Sequence, residues 1–127
     1  MDEKRNEILV VDDEPYMCKG VSRILEREGY SVTTAPNGEA ALELIQGNKP
    51  DLILLDLMMP GINGREVCRI VRESSPETRI IYFTARVETD RQKLKELRNE
   101  ADAFLSKPAT SKQIISRVSS VLNTVRC

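Results

Sequence analysis

Leu52-Ile53-Leu54-Leu55 is an unbroken run of four apolar side chains with no polar residue alternating in it. A strand of that kind has to be covered on both faces, so the pattern predicts a central strand of a parallel sheet. The run ends in a carboxylate, Asp56, and then in Pro60-Gly61, which punctuate a loop. Three further runs have the same character. Ile8-Leu9-Val10-Val11 ends in Asp12-Asp13-Glu14, Ile80-Ile81-Tyr82-Phe83 ends in Thr84-Ala85, and Ala103-Phe104-Leu105 ends in Ser106-Lys107-Pro108. Residues 31–35 are of mixed polarity and suit a strand near an edge.

Between these runs the apolar period changes to that of helices. Pro15 fits a first helical position, Met17, Val21, Ile24 and Leu25 recur on one face, and Gly29 stops the helix. Asn37 can cap a second helix, with Ala40, Ala41, Leu44 and Ile45 inward and Gly47-Asn48 at its end. Asn63 and Glu66 have capping-box spacing ahead of a third helix, with Val67, Ile70 and Val71 inward and Ser74-Ser75-Pro76 closing it. Residues 87–99 read as a fourth helix anchored chiefly by Leu94 and Leu97, and therefore as the most loosely held. Thr110 and Gln113 form a capping box for a last helix with Ile114, Ile115, Val118, Val121, Leu122 and Val125 toward the core. Strand and helix alternate five times, which predicts an α/β fold: a single (βα)5 doubly wound parallel sheet with right-handed crossovers.

Composition adds limits. The chain has 127 residues, 40% hydrophobic and 31% charged, which suits one domain with its own core. The reading assigns all of 1–127 to that domain and expects no output domain in it. Nineteen basic and 20 acidic residues give a net charge of −1, so neither nucleic acid nor an anionic membrane attracts the chain by charge alone. No apolar run approaches the ~20 residues that span a bilayer, and Met1 to Glu7 carry no signal segment. Cys18, Cys68 and Cys127 fit no metal or redox spacing and read as free thiols in a reducing cytoplasm. Histidine is absent, which excludes His-dependent triads, histidine-ligated zinc and a phosphohistidine on this chain.

The reactive residues fall at strand ends: Asp12-Asp13, Asp56, Thr84 and Lys107. In a parallel sheet these ends share one edge, where open α/β sheets bind their ligands. Each residue alone has an ordinary role as a cap, a turn hydroxyl or a solvated lysine; four at matched ends fit that account poorly. Three carboxylates held close repel unless a cation sits among them, and all-oxygen ligands favour a hard ion such as Mg²⁺. With a metal present, Asp56 can act as a nucleophile toward phosphorus and form an acyl phosphate. Lys107, the Thr84 hydroxyl and the Ala85 N–H would then meet the phosphoryl oxygens.

Val10-Val11-Asp12-Asp13-Glu14, Asp56-Leu57-Met58-Met59-Pro60-Gly61 with Asn63-Gly64, Thr84-Ala85 and Lys107-Pro108 occur in order along essentially the whole chain. In these motifs the sequence resembles a response-regulator receiver domain, the chemotaxis-regulator-like phosphoacceptor half of two-component signalling. The resemblance implies the flavodoxin-like strand order 2-1-3-4-5. It implies Asp56 as the phosphorylated aspartate and a metal site made by Asp13, Asp56 and the main-chain carbonyl of Met58 directly, with Asp12 helping through water. It makes Thr84 the switch hydroxyl, Lys107 the phosphate-binding lysine, Phe104 the switch aromatic, and the Lys107-Pro108 bond cis. Phe104 reads equally as a plain core or edge aromatic. Met58 and Arg86 match positions that tune acyl-phosphate lifetime, although Arg86 reads more simply as solvated.

One stretch departs from the family pattern. Where a Gly-Ala pair is usual before the fifth strand, this chain has Asn99-Glu100-Ala101-Asp102. Asn tolerates a left-handed cap better than Glu, so Asn99 is expected to end the fourth helix and Glu100 to be an extra loop residue.

The implied function is a phosphorylation-dependent switch. A sensor histidine kinase or histidine phosphotransfer protein donates a phosphoryl group to Asp56 with Mg²⁺ as cofactor. The surface of the fourth helix, fifth strand and fifth helix then binds a downstream effector differently. The chain is expected to be a regulator that promotes its own phosphorylation and acyl-phosphate hydrolysis rather than an enzyme, cytoplasmic, a monomer or weak dimer, with no direct nucleic-acid or membrane binding. Two other functions use the same residues: a Mg²⁺-dependent phosphohydrolase with an aspartyl-phosphate intermediate, and a phosphorylation-independent interaction module. The first lacks a second acid two residues after Asp56, where Met58 stands. The second gives no reason to keep three repelling carboxylates.

Overall fold

In the computed structural model the described residues are 5–85 and 90–124. Arg86, the expected start of the fourth helix at 87–89, Val125 and Cys127 lie outside them. Ten elements alternate along the chain: β1 Glu7–Val11, α1 Pro15–Arg27, β2 Ser31–Ala35, α2 Gly38–Gly47, β3 Leu52–Leu55, α3 Gly64–Ser74, β4 Arg79–Thr84, α4 Arg91–Glu100, β5 Ala103–Ser106 and α5 Ser111–Asn123. The five strands form one sheet in the order β2-β1-β3-β4-β5, every neighbouring pair parallel. The mixed-polarity β2 is an edge strand, and β3 occupies the centre.

All four side chains of β3 are buried, and they divide between two cores. Ile53 and Leu55 join Ala41, Ile45, Val67, Val71 and Leu97 from α2, α3 and α4. Leu52 and Leu54 join Val21, Leu25, Ile114, Val118 and Val121 from α1 and α5. Successive residues of a strand point to opposite faces, so an unbroken apolar run with helices on both sides is what this sheet requires. Each run stops at the same edge, and the chemistry begins where the apolar pattern ends.

The helix signals act locally, with corrections. Pro15 begins α1, and Gly29 follows it with φ of 94°. Asn37 accepts the Ala40 N–H, and Thr110 with Gln113 makes a complete capping box. Asn63 accepts the Glu66 N–H, but Glu66 turns to Arg69. On α2 the buried residues are Gly38, Ala41 and Ile45; Leu44 lies one step round the helix and is exposed, not inward as expected. Ile70, Ile115 and Leu122 are half-buried at the margins of their helices.

The end of α4 corrects the sequence reading more sharply. The helix runs through Glu100, Ala101 is its C-cap in extended backbone, and no non-glycine residue among the described ones has positive φ. Asn99 therefore takes no left-handed cap, and Glu100 is helical. The carbonyl left at this end is satisfied from another helix: the Glu100 carbonyl accepts from Arg72 Nη2 at 3.2 Å and Nε at 3.4 Å. With a partner from α3, the helix needs no glycine-type turn to finish.

Candidate functional site

Backbone pairing aligns the reactive strand ends. Val11 of β1 pairs with Leu55 of β3, and the next residue on each strand is an aspartate. The Asp56 N–H donates to the Val11 carbonyl at 3.0 Å and the Asp12 N–H to the Ala35 carbonyl at 3.1 Å. Thr84 pairs with Ser106, and the Lys107 N–H donates to the Thr84 carbonyl at 2.9 Å. Strand register alone therefore brings together four positions spread over 95 residues of sequence.

Asp12, Asp13 and Asp56 each offer a carboxylate oxygen within 4.8 Å of the others. Asp12 and Asp56 are buried, and Asp13 is exposed at the mouth. Lys107 reaches across from the end of β5, its Nζ 2.5 Å from Asp12 Oδ2 and 3.5 Å from Asp56 Oδ2. The same ammonium stands 5.3 Å from the centre of the Phe83 ring, whose face attracts a cation. Burial pulls the Lys107 pKa down. Its hydrogen bond to Asp12 and the charges of Asp12 and Asp56 outweigh burial and leave it above the ordinary lysine value, so the side chain stays cationic. The Lys107-Pro108 bond is cis, as the resemblance implied.

Thr84 is buried and Ala85 exposed at the end of β4. The Met58 N–H donates to Asp56 Oδ1 at 3.1 Å, while the Met58 side chain points outward and is 59% exposed. Phe104 is half-buried against the core on the α2, α3 and α4 side and pairs with Tyr82 in the sheet register.

Two supporting residues carry more than the sequence suggested. Cys18 read as a plain thiol, but its Sγ donates to the Asp12 carbonyl at 3.3 Å and ties α1 to the acidic loop. Burial raises its pKa, with the Asp12 charge next, which keeps it a neutral donor. Gly64 opens α3 against the loop after Asp56. A Cβ there would lie 2.5 Å from the Asp56 carbonyl oxygen and 2.9 Å from Leu57 Cα. Both are backbone atoms and cannot rotate away. Alanine gains up to about 1 kcal/mol over glycine in a helix, but overpacking of this kind costs about 1–3 kcal/mol. Gly64→Ala is thus expected to lower the urea midpoint at unchanged slope. An unchanged midpoint would show that the loop tolerates the shift.

A separate network joins α3, β4 and α4. Glu100 receives Arg65 on both carboxylate oxygens and the Tyr82 hydroxyl at 2.8 Å. Burial raises the Glu100 pKa, yet the bonds from Arg65 and Tyr82 together hold it below the usual glutamate value. Nothing in the local sequence pattern announced this contact.

The family model of the response regulator receiver domain matches residues 8–119. The DNA-binding response regulator MtrA of Mycolicibacterium smegmatis is 39% identical over 118 residues, which cover 93% of this chain and 51% of that protein. The alkaline phosphatase synthesis transcriptional regulatory protein PhoP of Bacillus subtilis is 40% identical over 115 residues, covering 91% of this chain and 48% of that protein. The chain thus spans about half the length of the curated relatives it matches. Among solved structures, chemotaxis protein CheY4 of Vibrio cholerae aligns with a TM-score of 0.84 at 31% identity, covering 93% of this chain and 99% of that one. Response regulator TrrA of Thermotoga maritima, in complex with Mg²⁺-BeF, aligns with a TM-score of 0.81 at 35% identity, covering 91% and 98%.

Proposed function

This chain belongs to the response regulator receiver domain family of two-component signalling, and from that premise we propose that Asp56 accepts a phosphoryl group from a histidine on a partner protein. The observation that carries the proposal is the convergence of Asp12, Asp13 and Asp56 within 4.8 Å, with Lys107 spanning Asp12 and Asp56.

The carboxylate of Asp56 supplies the attacking oxygen. Its other oxygen is held by the Met58 N–H, which fixes the orientation of the group. As the new bond to phosphorus forms, the bond from phosphorus to the donor histidine nitrogen breaks and its electron pair leaves with that nitrogen. Lys107 moves its charge from Asp12 and Asp56 toward a phosphoryl oxygen, and the Thr84 hydroxyl with the Ala85 N–H donates to another. The donor set fits a hard divalent cation: three carboxylates in reach of one another, oxygen ligands only. Asp12, Asp13, Asp56 and the main-chain carbonyl of Met58 would hold Mg²⁺, which when bound supplies positive charge to the phosphoryl group.

Phosphorylation adds about −1.5 to −2 charge at this edge. Thr84 and Phe104 report it through β4 and β5 to the surface of α4, β5 and α5, where a downstream effector binds. The shift acts on an equilibrium between two existing states. The chain is a regulator, and the proposal includes that it promotes its own phosphorylation and the later hydrolysis of the acyl phosphate. The near-neutral charge of this segment supports protein partners rather than nucleic acid for the segment itself. Among the described residues no helix is long and apolar enough to cross a membrane, and the reading places the segment in the cytoplasm.

Incubation with Mg²⁺ and acetyl phosphate is expected to give an acid-stable, base-labile phosphoryl group, and EDTA should reduce the label to background. A wild-type protein that stays unlabelled overturns the reading. Sustained turnover of simple phosphate esters would favour a hydrolase instead.

A further inference from the structure

The last turn of α4 is tied to the rest of the domain mostly by polar side chains. Leu97 is the one buried side chain among the described residues of the helix. Beside it, Arg65 of α3 donates from Nε to both oxygens of Glu100, at 2.9 and 3.1 Å, and from Nη2 to Oε2. Tyr82 of β4 donates to Oε1 at 2.8 Å. The Glu100 carbonyl accepts from Arg72 and from Cys68 Sγ. Arg72 also bonds Asp102 Oδ2 at 3.0 Å and the Thr78 carbonyl at 3.2 Å, and Asp102 accepts the Ile80 N–H at 2.8 Å. Arg65 and Arg72 of α3 thus grip the end of α4 and the turn into β5.

This network adjoins the path by which the phosphoryl site acts. Tyr82 precedes Thr84 by two residues on β4, so both side chains lie on one face of the sheet. Tyr82 is also the register partner of Phe104 on β5. Tyr82 is fully buried, so its hydroxyl needs partners within the fold, and Glu100 is the charged one, beside the Cys68 thiol. Any motion that draws the last turn of α4 away from α3 takes the carboxylate from the buried hydroxyl, leaving it only the weak Cys68 thiol, and separates a bidentate charge pair, which is costly. The resting arrangement is favoured by those interactions, while the α4 helix offers little apolar packing to oppose or replace them.

We propose that the Arg65–Glu100–Tyr82 network is a restraint that holds α4 in its resting position and sets the threshold at which phosphorylation of Asp56 switches the domain. This deepens the reading of the phosphoacceptor site and rests on it. A state in which α4 has moved lacks these bonds, so weakening them raises its population and the apparent affinity for any ligand that favours it.

The test uses the full chain and beryllofluoride with Mg²⁺ as a phosphoryl mimic. Calorimetry gives the mimic's midpoint, and amide hydrogen exchange followed by mass spectrometry gives the protection of α4 and α5. Glu100→Gln, Arg65→Met and Tyr82→Phe each remove one part of the network without touching the acidic cluster. Each is expected to speed exchange in α4 about fivefold, to leave α5 unchanged, and to lower the beryllofluoride midpoint about fivefold. The double variant Arg65→Met/Glu100→Gln should exceed neither single by more than a small factor, because the two residues form one pair. If wild type binds the mimic and the variants keep its midpoint, or raise it, the restraint is overturned while the phosphoacceptor reading stands. Equal acceleration in α5 overturns it too, since the effect is then global loss of stability. A wild-type chain that does not bind beryllofluoride refutes the phosphoacceptor reading, and the restraint falls with it.

Discussion

Asp56→Asn is expected to abolish the acid-stable, base-labile label formed with acetyl phosphate, by about a hundredfold or more, while the chain stays folded. Asparagine has the shape of aspartate, and its amide oxygen can still accept the Met58 N–H that now reaches Asp56 Oδ1 at 3.1 Å. The amide is a poor nucleophile, so no acyl phosphate forms. Stability should hold or rise, because one of three mutually repelling carboxylates is gone and Lys107 keeps Asp12 at 2.5 Å. The decisive comparison is label per mole at saturating donor, with circular dichroism to confirm the fold. A variant labelled as fully as wild type would move the phosphoacceptor to another residue and leave the buried position of Asp56 without chemistry.

Lys107→Met should show the second-largest effect, in two measurements at once. Methionine keeps an apolar stem of similar length against Phe83 and removes only the charge. Without the ammonium, the buried carboxylates of Asp12 and Asp56 face each other with no other ion-pair partner among the described residues. Removing one partner of a buried charge pair costs about 3–5 kcal/mol, and the solvent that reaches the mouth at exposed Asp13 puts this site at the low end, about 3 kcal/mol. That loss is expected in EDTA, and Mg²⁺ should restore more stability to the variant than to wild type, since the cation supplies the missing charge. The rate of labelling should fall about tenfold to a hundredfold even with Mg²⁺, because one donor to the phosphoryl group is absent. Equal stability of variant and wild type in EDTA would show that Lys107 contributes nothing to holding the acids together. An unchanged labelling rate would remove it from the phosphoryl site.

These expectations rest on residues that the sequence marks openly. Asp12, Asp56, Thr84 and Lys107 could be found because each follows an apolar run, and the alternation of run and helix fixes which edge of a parallel sheet they share. Asn37, Thr110 and Gly29 could be found because a cap or a positive φ is a local demand with a local signature. Cys18 and Gly64 were only half legible. Their residue types are plain in the chain, but the Asp12 carbonyl that Cys18 bonds and the backbone that Gly64 nearly touches are supplied by other segments.

Leu44 and Glu100 show where local reasoning gives way. Leu44 has the spacing of an inward residue, yet the stripe that α2 buries is narrow and runs through Gly38, Ala41 and Ile45. Glu100 sits where a helix ending by local rules would need a left-handed residue, and the helix instead continues through it. Its partners, Arg65, Arg72 and Tyr82, lie 35, 28 and 18 residues away along the chain. By itself the sequence determined the elements, the parallel sheet and the edge at which the acids and the lysine gather, because backbone hydrogen bonding and side-chain periodicity are local properties. Tertiary structure alone decided how α4 ends and what holds it, because a buried hydroxyl and a helix-terminal carbonyl take whichever partner the packed fold brings within reach.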